Sequence, residues 1–312
     1  MDLDVFFAGT GGSVPTARRG MPALLLRRGG EKLLFDCGEG TQRQLVRSVG
    51  LPEVDQILLT HFHADHWLGL PGMLKTFDLR DRERPLTVRG PRGLRELMKM
   101  MRVVYGRVRY ELTVEELEPG TELRGDGYTL AAVAVQHRVP ALAWVLWEDE
   151  RPGHLDAAAA ERLGVAPGPA FGRLQRGETV DGVRPEQVVG PARAGRKLVV
   201  SGDTAPSDSL RVAAHEADLL VHEATFAEEE RDRAAQTGHS TAGDAAGLAR
   251  DAGVRLLALT HVSTRYGGHE IRDEARAVFE PTVVPRDFDT IEIPFPERGE
   301  PRLLRWEEPV AT

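Results

Sequence analysis

Thr60-His61-Phe62-His63-Ala64-Asp65-His66 follows directly on the apolar run Ile57-Leu58-Leu59, and the reading of the chain turns on this stretch. In an extended segment, residues two apart share a face, so His61 and His63 can point the same way. The chain then turns, and Asp65 and His66 present a second pair. Imidazole nitrogens bind zinc at about 2.0–2.1 Å and carboxylate oxygens at a similar distance. Three histidines and an aspartate within six residues are therefore suited to hold metal. A lone histidine is usually a satisfied structural residue, but three clustered at the end of a strand are not.

Other candidates sit at matching places. His137 closes the run Leu130-Ala131-Ala132-Val133-Ala134-Val135, Asp203 follows Leu198-Val199-Val200-Ser201-Gly202, and His261 closes Leu256-Leu257-Ala258-Leu259-Thr260. If these strands run side by side, their ends converge on one edge of the sheets. One ion could then take His61, His63 and His137, and a second Asp65, His66 and His261, with Asp203 bridging. Two ions about 3.5–4 Å apart lower the pKa of a bridging water and stabilise both attacking and leaving oxygens in phosphoryl displacement. Zinc fits the nitrogen-rich set, and manganese could occupy the same positions.

Around these residues, short β-like runs recur from Leu3–Phe7 to Arg255–Thr260, separated by glycine-rich or polar loops. Helices are expected at Arg92–Met101 after a Gly-Pro turn, at Ser207–Glu216 after Pro206, and from about Ser240 to Ala252, where Gly253 stops the pattern. Mixed strands and helices over the whole length predict an α/β protein of layered sheets and outer helices, one domain over 1–312. Residues 148–189 break the rhythm. They hold a short alanine-rich helix, Asp156–Leu163, among Pro/Gly-rich text with too little apolar periodicity for a core. The segment reads as an arm inserted in the main domain, since long loops in compact domains are usually functional or disordered.

Composition narrows the class. The 312 residues, with one cysteine, Cys37, exclude an internal disulfide framework. No apolar run approaches the roughly 20 residues that span a bilayer, and Met-Asp-Leu-Asp offers no basic leader, so a cytoplasmic protein without membrane contact is expected. The net charge of −8 argues against a general polyanion binder. Locally, however, Arg80–Arg109 carries nine arginines and Lys99 against Asp81, Glu83 and Glu96. A solvated helical face is the ordinary reading of such a run; a share in phosphate binding is the alternative.

His61-Phe62-His63-Ala64-Asp65-His66 resembles the HxHxDH signature of the metallo-β-lactamase superfamily, whose fold is an αβ/βα four-layer sandwich. Phe35-Asp36-Cys37-Gly38-Glu39-Gly40-Thr41-Gln42, Leu70-Pro71-Gly72, His222-Glu223-Ala224-Thr225 and Gly238-His239-Ser240-Thr241 are similar to segments of one branch, the ribonuclease Z family, and Gly168–Gly177 resembles that family's protruding substrate arm. The resemblance implies two zinc ions per subunit on the seven ligands above. It makes Asp65 the general base, and couples Glu223 to His239, which would protonate a leaving 3′ oxygen. It further implies an endonuclease that cuts precursor tRNA to leave a 3′ hydroxyl, working as a homodimer in which one subunit's arm grips tRNA while the other cuts.

The chain departs from that pattern at Ala205-Pro206-Ser207 and at Gly20 after Arg19, and its arm is nearly neutral. Rival functions are a small-molecule phosphodiesterase or ester hydrolase on the same fold, and a non-catalytic RNA-binding subunit. The arm and the presence of every ligand weigh against both. Gly9-Thr10-Gly11-Gly12-Ser13 lacks the lysine of a P-loop and is expected to be a tight turn near the metals. His222 reads as structural, His154, His215 and His269 as surface residues, and Cys37 as a buried packing residue.

Overall fold

The structure, a computed structural model, describes residues 1–307. Six strands open the chain: β1 (Leu3–Gly9), β2 (Ala23–Arg28), β3 (Glu31–Phe35), β4 (Gln56–Leu58), β5 (Leu86–Gly90) and β6 (Leu112–Glu116). Seven then build a second sheet: β7 (Glu122–Arg124), β8 (Tyr128–Ala134), β9 (Leu142–Glu148), β10 (Lys197–Val200), β11 (Leu219–Glu223), β12 (Leu256–Thr260) and β13 (Thr282–Val283). The last two, β14 (Thr290–Glu292) and β15 (Arg302–Leu304), return to the first sheet, whose order is β15-β14-β1-β2-β3-β4-β5-β6. The second runs β13-β12-β11-β10-β9-β8-β7. Both sheets are mixed, with β3 to β6 parallel in one and β10 to β13 parallel in the other.

Four layers follow from which faces are apolar. Val5, Phe7, Leu33 and Phe35 of the first sheet meet Leu130, Trp144, Leu198 and Val221 of the second in a central core. The alternate residues, such as Phe6, Leu25, Leu34 and Ile57, face outward under the helices Thr41–Arg47, Leu70–Leu79 and Leu94–Tyr105. On the far side Val199, Leu220 and Leu257 lie under Asp208–Ala213, Ala242–Ala252 and Gly268–Arg276. Strands covered on both faces read as continuous apolar runs, which is why they were visible in the sequence. Leu70–Leu79 was not anticipated as a helix, because Pro71 and Gly72 mask its start; proline is accommodated in a first turn, where its missing N–H costs nothing.

A buried ion cluster ties the sheets. Arg28 of β2 donates to Glu148 of β9 at 3.0 Å, and Arg196 binds the same carboxylate at 2.7 and 2.8 Å while also donating to the carbonyl oxygen of Ile293. Burial opposes the charge on Glu148, but Arg196 and then Arg28 hold its pKa below the ordinary carboxylate value. A depressed folded pKa stabilises above the unfolded value and loses that contribution as pH falls past it, so this cluster weakens below about pH 4.5. Glu148→Ala leaves two guanidinium groups without their shared carboxylate. It is expected to cost about 3–5 kcal/mol in denaturant titration, and a loss under about 1 kcal/mol would contradict the clamp.

Residues 148–189 depart from the sequence expectation in one respect. The segment has a small core: Ala160, Val165, Leu174, Val180, Val183 and Val188 are buried together between the short helices Ala157–Arg162 and Pro169–Gln175. Six small, irregularly spaced side chains give no helical period, so sequence reading missed them. Bridges Arg151–Arg193 and Leu155–Val189 close its base, and Glu297 accepts from both Arg151 and Arg193 at 2.7 and 2.9 Å.

Candidate metal centre

The strand ends converge as their apolar runs suggest. His61 follows β4, His137 follows β8, Asp203 follows β10 and His261 follows β12, and all meet where the parallel strands end, the usual ligand edge of an open α/β sheet. The turn after β4 becomes one short helical turn, Ala64–Trp67, that presents Asp65 and His66. His261 adopts φ +57°, a left-handed conformation rare for a side-chain-bearing residue, and Gly12 lies so close that a Cβ there would stand 2.4 Å from His261 Nδ1. That glycine turn does lie beside the cluster.

All seven expected ligands come together. His63 Nδ1 lies 3.0 Å from His61 Nε2 and 3.1 Å from His137 Nε2. His261 Nε2 lies 3.4 Å from His66 Nε2 and 3.3 Å from Asp65 Oδ2. Between the two groups, Asp203 Oδ2 stands 3.5 Å from His61 Nε2 and 3.4 Å from both His66 Nε2 and His261 Nε2. Two nitrogens bound tetrahedrally to one ion at about 2.0–2.1 Å lie roughly 3.3 Å apart, so these separations suit cations.

The far ring nitrogens show which lone pairs face inward. His66 Nδ1 donates to Asp36 Oδ2 at 2.7 Å and His137 Nδ1 to the carbonyl oxygen of Gly238 at 2.7 Å. Thr60 Oγ1 donates to Asp36 and therefore accepts from His61 Nδ1 at 3.0 Å; Thr225 Oγ1 donates to Glu223 and accepts from His261 Nδ1 at 2.8 Å. Each bond occupies Nδ1 and aims Nε2 at the centre. Asp36, itself at φ +57°, orients two of these rings. Its role was not read from the sequence, although it ends β3 just as Asp203 ends β10, and that repeated placement was the available signal.

The electrostatics call for positive charge. Burial pushes His61, His63 and His137 down, keeping those rings neutral. Burial also opposes charge on His66, yet Asp203 and Asp36 raise it well above the ordinary value. Asp203 and Asp65 are held below the carboxylate range by the surrounding histidines despite burial. Asp203 Oδ1 is buried without a hydrogen-bond partner among the described residues. The donor set thus fits cations by distance, tautomer and charge.

His239 stands near enough to Asp203 and His261 for the three to form a further group that could hold an ion, but its Nδ1 donates to Glu223 Oε1 at 2.8 Å. Glu223 also accepts from the amides of Thr204 and Thr225, each at 3.0 Å. Burial opposes protonation of His239, but Glu223 outweighs it and raises its pKa to about 9. His222 is buried, donates to the carbonyl of Glu223, and belongs to none of the groups that could hold an ion, in keeping with a structural residue. His154, His215 and His269 lie outside the cluster and are exposed. Cys37 is buried, and burial pushes its thiol up to about 12.

The Arg80–Arg109 stretch is less available than its count suggests. Arg82 is buried and donates to the carbonyls of Val54 and Pro85; Arg84 pairs with Asp55, Arg89 with Glu115, and Arg109 with Asp78 and Asp81. No helix among the described residues is long and apolar enough to cross a membrane.

Comparison with known proteins places this geometry among relatives. Residues 22–239 match the family described as the metallo-beta-lactamase superfamily. The chain is 43% identical over 301 residues to the ribonuclease Z of Methanosarcina acetivorans, covering 94% of this chain and 99% of that protein. It is 46% identical over 305 residues to the ribonuclease Z of Haloferax volcanii, covering 95% and 96%. The crystal structure of human tRNase Z, short form, is similar with a TM-score of 0.69 at 28% identity, over 93% of this chain and 99% of that one.

Proposed function

This chain belongs to the ribonuclease Z family of the metallo-β-lactamase superfamily, and from that premise we infer that it is a metal-dependent endoribonuclease cutting precursor tRNA at its 3′ side to leave a 3′ hydroxyl. The observation that carries the reading is the convergence of two ligand groups on the shared carboxylate of Asp203. His61, His63 and His137 would hold one ion, and Asp65, His66 and His261 the other, with Asp203 reaching both. Two zinc ions per subunit suit this donor set, and manganese could replace them. When bound, such a pair lowers the pKa of a water and offsets charge building on the phosphate.

The protein's own groups divide the proton transfers. Asp65, kept ionised, takes a proton from the attacking water, while the Ser13 amide donates to its Oδ2 at 2.8 Å and holds it in place. His239, charged near neutral pH, donates its Nε2 proton to the leaving 3′ oxygen. Glu223, fixed by two amides and Thr225, balances the imidazolium and orients the ring. Residues 148–189 would serve as the substrate arm of a cytoplasmic homodimer, one subunit gripping the tRNA that its partner cuts; sedimentation of the purified protein tests the dimer.

Incubation of the purified protein with a precursor tRNA and, separately, with a small phosphodiester tests the function. The expected products are tRNA ending in a 3′ hydroxyl and a trailer with a 5′ phosphate. Fast turnover of the small ester with intact RNA would overturn the reading.

A further inference from the structure

A cleft of about 1160 Å³ opens beside the candidate metal centre. One wall is the loop Gly11–Gly20, whose Ser13 amide reaches Asp65, and another is Val262–Gly268, directly after His261. Seven arginines line it against two carboxylates, Glu39 and Asp287, in a chain whose net charge is −8. Arg18, Arg43 and Arg286 are exposed, and no ion pair engages them among the described residues. Arg47 lies over the ring of Phe288 at 5.4 Å, and Tyr266 adds a second aromatic to the lining. The seven arginines outnumber the two carboxylates. Asp287 is consumed internally, accepting from the Thr10 amide and hydroxyl, the Gly20 amide and Gln44 at 2.6–3.0 Å.

Arginines along a groove with an aromatic or two suit single-stranded nucleic acid, whose phosphates pair with guanidinium groups and whose bases stack. An unpaired strand of a few nucleotides can meet such a lining with both its phosphates and its bases. Which strand enters is set by the chemistry. In an in-line displacement the attacking and leaving oxygens lie on opposite sides of phosphorus. The proposed acid, His239, does not line the cleft, whereas the loop holding the proposed base, Asp65, forms its wall. The strand that keeps the phosphate is the trailer, joined to phosphorus through an equatorial oxygen, and the wall beside the base, away from the acid, is the one open to it.

We propose that this arginine-lined cleft binds the phosphates of the single-stranded 3′ trailer, with Arg18, Arg43 and Arg286 as its principal contacts. The proposal rests on the endonuclease reading above. Its test compares precursor tRNAs that differ only in trailer, one of a single nucleotide and one of several, with the full-length enzyme and its Arg43→Ala and Arg286→Ala variants. The expected result is a rise of about tenfold in the ratio of KM for the long trailer to KM for the short one, the size of one lost charged contact. The slope of log KM against log salt for the long trailer should also fall by roughly 0.7 per arginine removed. A fold defect would move both substrates alike and leave the ratio unchanged. An unchanged ratio, with or without a general rise in KM, overturns the trailer assignment. Wild-type protein that cuts neither precursor would instead overturn the endonuclease reading itself.

Discussion

Replacing Asp203 by asparagine is expected to lower kcat by about 10³–10⁴-fold and to lower the bound cation content of the purified protein. A cation contributes several kcal/mol of transition-state stabilisation, and each 1.36 kcal/mol is tenfold in rate. Asparagine keeps the shape but removes the charge that faces His61, His66 and His261 at 3.4–3.5 Å. Neither its amide nitrogen nor its neutral oxygen can bridge two cations as a carboxylate does. Metal analysis of the variant separates this loss from a folding defect, because Asp203 is not part of the Glu148 clamp or the central apolar core. Full activity with a full complement of metal would remove Asp203 from the mechanism.

His239→Ala has a different signature. It should cut kcat by about 10²–10⁴-fold, the range for losing a positioned general acid, while metal content stays at the wild-type level. The distinction follows from position: His239 Nδ1 is bonded to Glu223 at 2.8 Å and stands 3.9 Å from Asp203 Oδ2, farther than any of the three histidines around that oxygen. A substrate with sulfur at the bridging 3′ position supplies the decisive comparison, since a thiolate leaves without needing a proton. On that substrate the wild type and His239→Ala should turn over at similar rates. A defect of equal size on both substrates would mean that His239 holds the site together and does not deliver a proton.

Much of this site was legible before the fold was known, and for a physical reason. Apolar runs ending in His61, His137, Asp203 and His261 mark buried strands, and β4 of one sheet and β8, β10 and β12 of the other bring their C-terminal ends together, although β8 pairs only antiparallel. The residues that position those candidate ligands were harder to find. Thr60, Thr225 and Asp36 act by hydrogen bonds across the sheets; nothing in the local sequence distinguishes the two threonines from ordinary polar residues at strand ends, and Asp36 is marked only by following β3 as Asp203 follows β10. The arginine cleft was invisible for a similar reason. Arg18, Arg43, Arg272 and Arg286 are far apart in the chain, whereas the contiguous run at Arg80–Arg109 draws the eye but spends several of its charges on internal pairs. Charge counted along a sequence and charge displayed on a surface are different quantities.

Anomalous diffraction at the zinc edge, from crystals of the protein loaded with zinc, bears most directly on the claim that the seven side chains hold a cation pair. The expected map has two peaks, one among His61, His63 and His137 and one among Asp65, His66 and His261, with Asp203 touching both. Zinc bound elsewhere, or absent from these residues in protein that still cuts precursor tRNA, would contradict it.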